Sequence, residues 1–288
     1  MTPQTKINSN PLSGFMRQPK IYIKLPSGGQ YWAKGSLELS ETEEYPVYSM
    51  TAKDEMMLKI PDALISGQAL VDVIQHCMPN VKNAWAVPNL DLDVILIAIR
   101  VATYGEKMSI PLNIPDTDLT YEVDLRYVMA SLIEQITWQE SVQVTPELVV
   151  YVKPMDYRQV SASAVKTFET QRMLQIVNDS TMTDIEKSKS FKEAVDKLND
   201  ITVGLINNSV FRIDSSQGAT DDLKFIKEFL DNADKEIFDT IKVHIEQLRN
   251  QNNIKPIVIE PTPDMIEKGV PNEPIEIPLV FDPSTFFA

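Results

Sequence analysis

Residues 90–103 have the sequence LDLDVILIAIRVAT, and this stretch decides how the chain folds. Its apolar residues cover nearly every side of a helix, with Asn89 as the predicted N-cap and Gly105 beyond the end. A helix that is apolar all around is normally buried on every side. We therefore expect it to be the central element of the protein.

Arg100 is the only cation within this stretch. A guanidinium at the end of a buried helix must reach water or find a partner. We expect a structural ion pair for Arg100, with Asp124 or Glu55 as the partner. An anion-binding role is the alternative.

Short strands and helices are predicted on both sides of the central helix. Before it, a strand over Lys20–Leu25 leads into the turn Pro26–Gly29, whose glycines suit a hairpin with a second strand that starts at Gln30. The other predictions are a strand over Tyr45–Met50, a helix opened by the capping residue Thr51, a helix from Pro61 to Cys77, a hairpin of Met108–Leu112 with Leu119–Leu125, a helix over Val128–Ile136 and a strand over Leu148–Val152.

The chain changes character after Pro154. Residues 156–250 contain no proline, and their apolar side chains recur at helical spacing, interrupted at Ser215–Gly218. Proline then recurs from Pro256 onward, which predicts an extended segment. The predicted fold class is α+β, with short antiparallel hairpins and buried helices, then a helical region and an extended proline-rich tail. The predicted divisions are a flexible arm (1–19), an α+β domain (20–155), a helical region (156–250) and a C-terminal tail (251–288).

Composition limits the classes of function. The chain has 288 residues and a net charge of −14, which opposes binding to nucleic acid and to anionic membranes. Its single cysteine, Cys77, excludes an internal disulfide and is typical of a protein made in a reducing cytoplasm. We see no signal peptide and no apolar run of the roughly 20 residues that span a bilayer.

The C-terminal residues are unusually apolar. Ile275, Ile277 and Leu279 alternate with Glu276 and Pro278, as on one buried side of an extended segment. Since buried aromatic rings are worth about 2–3 kcal/mol each, we expect the tail to dock. It docks either on its own chain or on a neighbouring subunit by strand addition. The predicted partner-binding residues are Ile277, Leu279, Phe281, Phe286 and Phe287.

We find no pattern that indicates catalysis. His76 and Cys77 are neighbours on a helix, so their side chains diverge, and His244 is expected on a solvated helix face. Asp91 and Asp93 suit the helix dipole. Two histidines and one cysteine make a zinc site improbable. We predict no catalytic residue, no metal, no cofactor and no small-molecule substrate.

Three motifs, in this order, resemble the baseplate hub and hub-assembly proteins of T-even-like contractile-tailed bacteriophages. They are Leu25-Pro26-Ser27-Gly28-Gly29, Met50-Thr51-Ala52-Lys53-Asp54-Glu55 and Ala98-Ile99-Arg100-Val101-Ala102-Thr103-Tyr104-Gly105, and the end from Pro278 to Phe287 is similar too. Related sequences carry Cys-x-x-Cys pairs where this chain has Asn113–Asp116 and Pro271–Pro274, so metal binding is not carried over.

The resemblance implies a non-enzymatic structural or assembly component of a phage tail baseplate hub. Its partners would be other phage baseplate or tail proteins, met in the host cytoplasm during assembly. Retention in the virion, a transient role as an assembly chaperone, a bacterial adaptor and a hydrolytic enzyme remain as alternatives.

Overall fold

The computed structural model describes residue 12 and residues 15–112, 119–135, 137–177, 183–279 and 286–287, without the side chains of 173–177 and 184. It is an α+β structure with short antiparallel strand pairs, as predicted. In chain order, its first half contains β1 (Pro19–Ile23), β2 (Tyr45–Tyr48), α1 (Ala52–Met57), α2 (Pro61–Ile65), α3 (Gln68–Cys77), α4 (Asn89–Tyr104), β3 (Lys107–Pro111), β4 (Thr120–Asp124), α5 (Leu125–Gln135), β5 (Ser141–Thr145) and β6 (Leu148–Val152).

Two long helices open the second half. The elements are α6 (Tyr157–Val177), α7 (Asp184–Ser209), β7 (Val210–Ser215), β8 (Gly218–Thr220), α8 (Leu223–Asn232), α9 (Lys235–Asn252), β9 (Ile257–Ile259), α10 (Pro263–Glu267) and β10 (Ile275–Ile277). None of the helices described is long and apolar enough to cross a membrane.

The predicted central helix is confirmed as α4. It contacts β1, β2, α3, α5 and α6, and every residue from Val94 to Ala102 is buried. Pro88, rather than Asn89, is the N-cap, and Gly105 ends the helix with φ 94°. The main core forms around this helix.

The predicted hairpin across Pro26–Gly29 is wrong. β1 pairs antiparallel with β2, and the residues after Gly29 form turns instead of a strand. The reason is Asp91, which is fully buried at the start of α4. Its carboxylate accepts hydrogen bonds from the Ser27 backbone N–H (2.8 Å), the Ser27 hydroxyl (2.5 Å) and the Trp32 indole N–H (2.7 Å).

A glycine divides the helix predicted from Pro61 to Cys77. Gly67 has φ 78°, and a Cβ atom there would lie 2.8 Å from the Ser161 hydroxyl oxygen on α6. The chain therefore forms α2 and α3 separately. The cap on α1 is as predicted, because Thr51 and Asp54 form a capping box.

Two strands lie within the region predicted to be helical. β7 and β8 join β5 and β6 in an antiparallel sheet of order β5-β6-β7-β8, with Val150 opposite Ile213. Val210, Phe211 and Ile213 are β-branched or aromatic residues, which favour a strand. The sheet thus pairs strands from both sides of residue 155, where a domain boundary was predicted. α8 and α9 complete a second core with this sheet.

Most of the predicted flexible arm (1–19) lies outside the described residues, but both ends of the described chain make contacts with the rest of it. Arg17, within the predicted flexible arm, donates to the carbonyl oxygens of Ser49 (2.6 Å) and His76 (2.6 Å). The C-terminal tail contains the short helix α10, with Pro263 at its first turn, where proline is tolerated. β9 and β10 pair with each other rather than extending alone.

The first prediction tests the central position of α4. Replacing Ile97, which is fully buried, with Asp would place an unpaired charge in the core and lower the free energy of unfolding by about 4 kcal/mol or more. Ile185→Asp on α7 is the matched control, because Ile185 is 83% exposed. Urea denaturation measures both variants, and equal stabilities would contradict this placement.

The second prediction separates the two aspartates of α4. Burial raises the pKa of Asp91 to about 6, although its donors oppose the shift, and burial raises the pKa of Asp93 to about 6. Asp93 has no hydrogen-bond partner among the described residues. Asp91→Asn replaces an acceptor by donors and should cost about 2–4 kcal/mol. Asp93→Asn removes a charge that burial disfavours and should gain about 1 kcal/mol at neutral pH.

The pH dependence provides the check on Asp93. A folded-state pKa above the unfolded value means that the native state binds the proton more tightly, so this contribution to stability is full below the unfolded pKa. It is lost as pH rises from 3.8 to about 6. Asp93→Asn should therefore show a shallower fall over this range in urea denaturation. An unchanged pH profile would exclude the shift.

Candidate functional site

The last described residues dock on their own chain. Phe286 is 1% exposed and Phe287 is 5% exposed, and both belong to the core that surrounds α4. Their rings meet edge to face, with centroids 5.1 Å apart. The tail therefore docks in cis through these two side chains, one of the two arrangements that the sequence left open.

Two side chains from the last turns of α4 hold this pair. The Tyr104 hydroxyl lies 2.9 Å from the Phe287 carbonyl oxygen and 3.2 Å from Glu55 Oε1, so these two acceptors share its single O–H donor. The Arg100 guanidinium lies over the rings of Tyr104 (5.1 Å) and Phe286 (5.6 Å). Cation–π contacts of this kind contribute about 0.5–2 kcal/mol.

Arg100 does not form the ion pair predicted for it with Asp124 or Glu55. Asp124 Oδ1 instead accepts from the Arg126 backbone N–H (2.9 Å). The Nε and Nη1 atoms of Arg100 are buried and have no hydrogen-bond partner among the described residues. Burial lowers the pKa of Arg100. Arg100 therefore contacts the aromatic rings of Tyr104 and Phe286, and not the carboxylate predicted as its partner.

The rest of the tail packs on the hairpin of β3 and β4. Ile277 is buried in a small cluster with Leu112 and Ile259, and Leu279 is half-buried at the edge of the main core. The alternation predicted for this segment is observed, since Ile275 and Ile277 face inward while Glu276 is exposed. Phe281 lies outside the described residues. Binding of a partner by these side chains stays a prediction.

Two exposed apolar surfaces were not found from the sequence. The first, here called the α2–α6 face, consists of Leu64, Ile65, Val160, Val165 and Phe168, and it lines a groove of about 320 Å³. Ile65 and Phe168 are each 61% exposed. The sequence did not predict an exposed apolar surface at Phe168, because α6 has too few large apolar residues for a clear periodic stripe.

The second surface is here called the α8 groove. Leu148, Ile213, Phe225 and Phe229 line this groove of about 420 Å³, where the sheet meets α8. Phe225 is 61% exposed. The helical spacing of apolar residues in this region did not single out Phe225, which lies outside the buried side formed by Ile226 and Leu230.

The residues considered for catalysis occupy structural positions. His76 Nδ1 lies 2.7 Å from Asp54 Oδ1, the carboxylate that caps α1. Burial opposes the effect, yet the hydrogen bonds from Thr51 and His76 lower the pKa of Asp54. Burial raises the pKa of the Cys77 thiol to about 11, which disfavours the thiolate that nucleophilic chemistry needs. His244 Nε2 contacts the Gln139 carbonyl oxygen at 3.1 Å.

The described residues include no group of three or more His, Cys, Asp or Glu side chains that could hold a metal ion. The chemistry that the described surfaces favour is contact with other polypeptides, through exposed aromatic side chains and apolar grooves.

Comparison with known proteins identifies the class. The family described as T4 bacteriophage base plate protein matches residues 16–255, which is most of the chain. The chain therefore belongs to this family of phage baseplate proteins. No curated protein matches it significantly, and no solved structure does. The matched range includes α4, the α2–α6 face and the α8 groove, and it stops before β9.

The third prediction concerns the docked pair. Phe286→Ala and Phe287→Ala each remove a buried ring and should lower the free energy of unfolding by about 3–5 kcal/mol. Phe15→Ala is the matched control, since Phe15 is 88% exposed. Truncation after Asp282 should lower the melting temperature as well. If the truncated chain melts like the wild type, the tail contributes nothing to its own chain.

Proposed function

We propose that this protein is a non-enzymatic component of the phage tail baseplate hub, and that it acts by binding other baseplate or tail proteins. The observation that carries the proposal is the family match over residues 16–255. The hub assignment within the baseplate has further support from the three motifs that resemble hub proteins, since all three lie inside the matched range. The protein would be made in the host cytoplasm and would work there during assembly.

The exposed surfaces support binding as the mode of action. Monomeric proteins rarely leave large apolar patches in water, and such patches commonly mark interaction sites. The α2–α6 face and the α8 groove each present an aromatic ring that is 61% exposed. Aromatic anchors in grooves are typical of the residues that dominate the free energy of protein association.

A transient assembly chaperone is the second candidate. It would use the same surfaces but would leave before the virion is complete. A hydrolytic enzyme is the candidate from another class, and it has less support, because the thiol of Cys77 is buried and His76 is engaged by the carboxylate that caps α1. The net charge of −14 opposes binding to nucleic acid and to anionic membranes.

The fourth prediction is a complementation experiment. Phage that lack this gene should fail to build baseplates, and plasmid-borne wild-type protein should restore them. Mass spectrometry of purified virions and of assembly intermediates then separates the two candidates. A hub component is expected in both fractions, whereas a transient chaperone is expected only in the intermediates.

The Ile97→Asp variant is the negative control, because its loss of about 4 kcal/mol or more should leave less folded protein available for assembly. A variant in which His76 and Cys77 are both replaced by Ala tests the enzymatic alternative. If baseplates need those two side chains in a protein that still folds, the non-enzymatic proposal is wrong. Normal baseplates in the complete absence of the protein would overturn the hub role.

A further inference from the structure

The α2–α6 face and the α8 groove are two exposed apolar surfaces of the same chain. The α2–α6 face presents the exposed ring of Phe168 at the edge of its own groove of about 320 Å³, and the α8 groove has a volume of about 420 Å³. A groove of this size can accommodate an aromatic side chain. Because both surfaces belong to the same polypeptide, a second copy of this chain is the partner that the described residues themselves supply.

Cations border the α2–α6 face. Phe168 follows Val165 by three residues and precedes Arg172 by four, so the three side chains share one side of α6. Arg158, seven residues before Val165, lies on that side too, and its guanidinium stands over the Trp85 ring. Lys59 is exposed just before α2. The carboxylates on this side are those of Asp62 on α2 and of Glu169, four residues after Val165 on α6. The three cations outnumber these two carboxylates, so the rim is net positive in a chain of charge −14.

Carboxylates border the α8 groove. Glu228 lies three residues after Phe225 on α8, so it shares the side of the helix that carries that ring. Glu228 is exposed and forms no ion pair with another described residue. Glu147 lines the groove itself and lies 3.2 Å from the Ser216 hydroxyl. The rim of this groove is therefore negative.

We infer that the α2–α6 face of one copy docks in the α8 groove of a second copy, with Phe168 as the anchor. Opposite rim charges favour this head-to-tail pairing over contact of either face with itself, which would bring like charges together. Such a contact is heterologous, so each copy keeps one free face and one free groove. Association through one aromatic anchor belongs to the weak, concentration-dependent class. The inference does not depend on the hub assignment.

Sedimentation equilibrium of the full-length protein over a range of concentrations tests the inference. The mass of the wild type should rise with concentration. Phe168→Ser removes the anchor and Phe225→Ser removes the ring that lines the groove, so each variant alone should remain monomeric. An equimolar mixture of the two should form a dimer and nothing larger, because one intact groove meets one intact face.

Phe191→Ser is the matched control, since Phe191 is 56% exposed on α7, outside both surfaces. It should associate like the wild type. Thermal melting checks that the variants fold. If either Ser variant melts early, Arg172→Glu and Glu228→Lys replace the pair, because each reversal should weaken association and the two combined in one chain should restore it.

The sedimentation results either support or overturn the proposed contact between copies. A mixture that dimerises while each variant alone stays monomeric supports it. A wild type that is monomeric throughout overturns it, and the face and the groove then serve other partners. Association that survives Phe168→Ser, or a mixture that stays monomeric although the wild type associates, overturns it as well, because the contact would then lie elsewhere or be symmetric.

Discussion

Burial of α4 on every side is the constraint on which the rest of the structure depends. A helix with apolar residues on all sides is stable in water only if other elements surround it completely. Here the strands β1 and β2, the helices α3, α5 and α6, and finally Phe286 and Phe287 provide that cover. Short strands and helices are only marginally stable alone, so those around α4 depend on the core that they form with this helix.

The polar residues of α4 determine where the surrounding elements contact it. Asp91 at the first turn organises the turns after β1 through three hydrogen bonds, and Arg100 and Tyr104 in the last turns hold the two phenylalanines of the tail. A buried polar group tolerates only arrangements that satisfy it, so it specifies geometry as well as adding stability. Arg100 satisfies this condition incompletely, because two of its nitrogen atoms lack acceptors. Aromatic stacking compensates for part of that cost.

What the sequence predicted correctly depended on neighbours in the chain. The helix α4, the Thr51 cap of α1 and the hairpin of β3 with β4 follow from local spacing and caps, and all three are observed. The errors involve distant partners. The hydrogen bond of Asp91 with Ser27 joins residues 64 positions apart, and that of Tyr104 with Phe287 joins residues 183 positions apart. Neither contact therefore leaves a periodic pattern in the sequence. The exposed rings of Phe168 and Phe225 were missed because exposure, unlike helicity, is set by what packs nearby.

The net charge of the chain determines which forces can drive association between copies. Two molecules of charge −14 repel each other at long range, but this repulsion is screened beyond about 8 Å at physiological ionic strength. Rim charges in direct contact are screened less, although exposed pairs contribute only about 0–1 kcal/mol each. The apolar anchors must therefore supply most of the affinity, and the rim charges select which surface an anchor meets. An acidic protein can in this way resist non-specific aggregation while it keeps one specific contact, because the basic rim of the α2–α6 face offers the acidic rim of the α8 groove a site without repulsion between like charges.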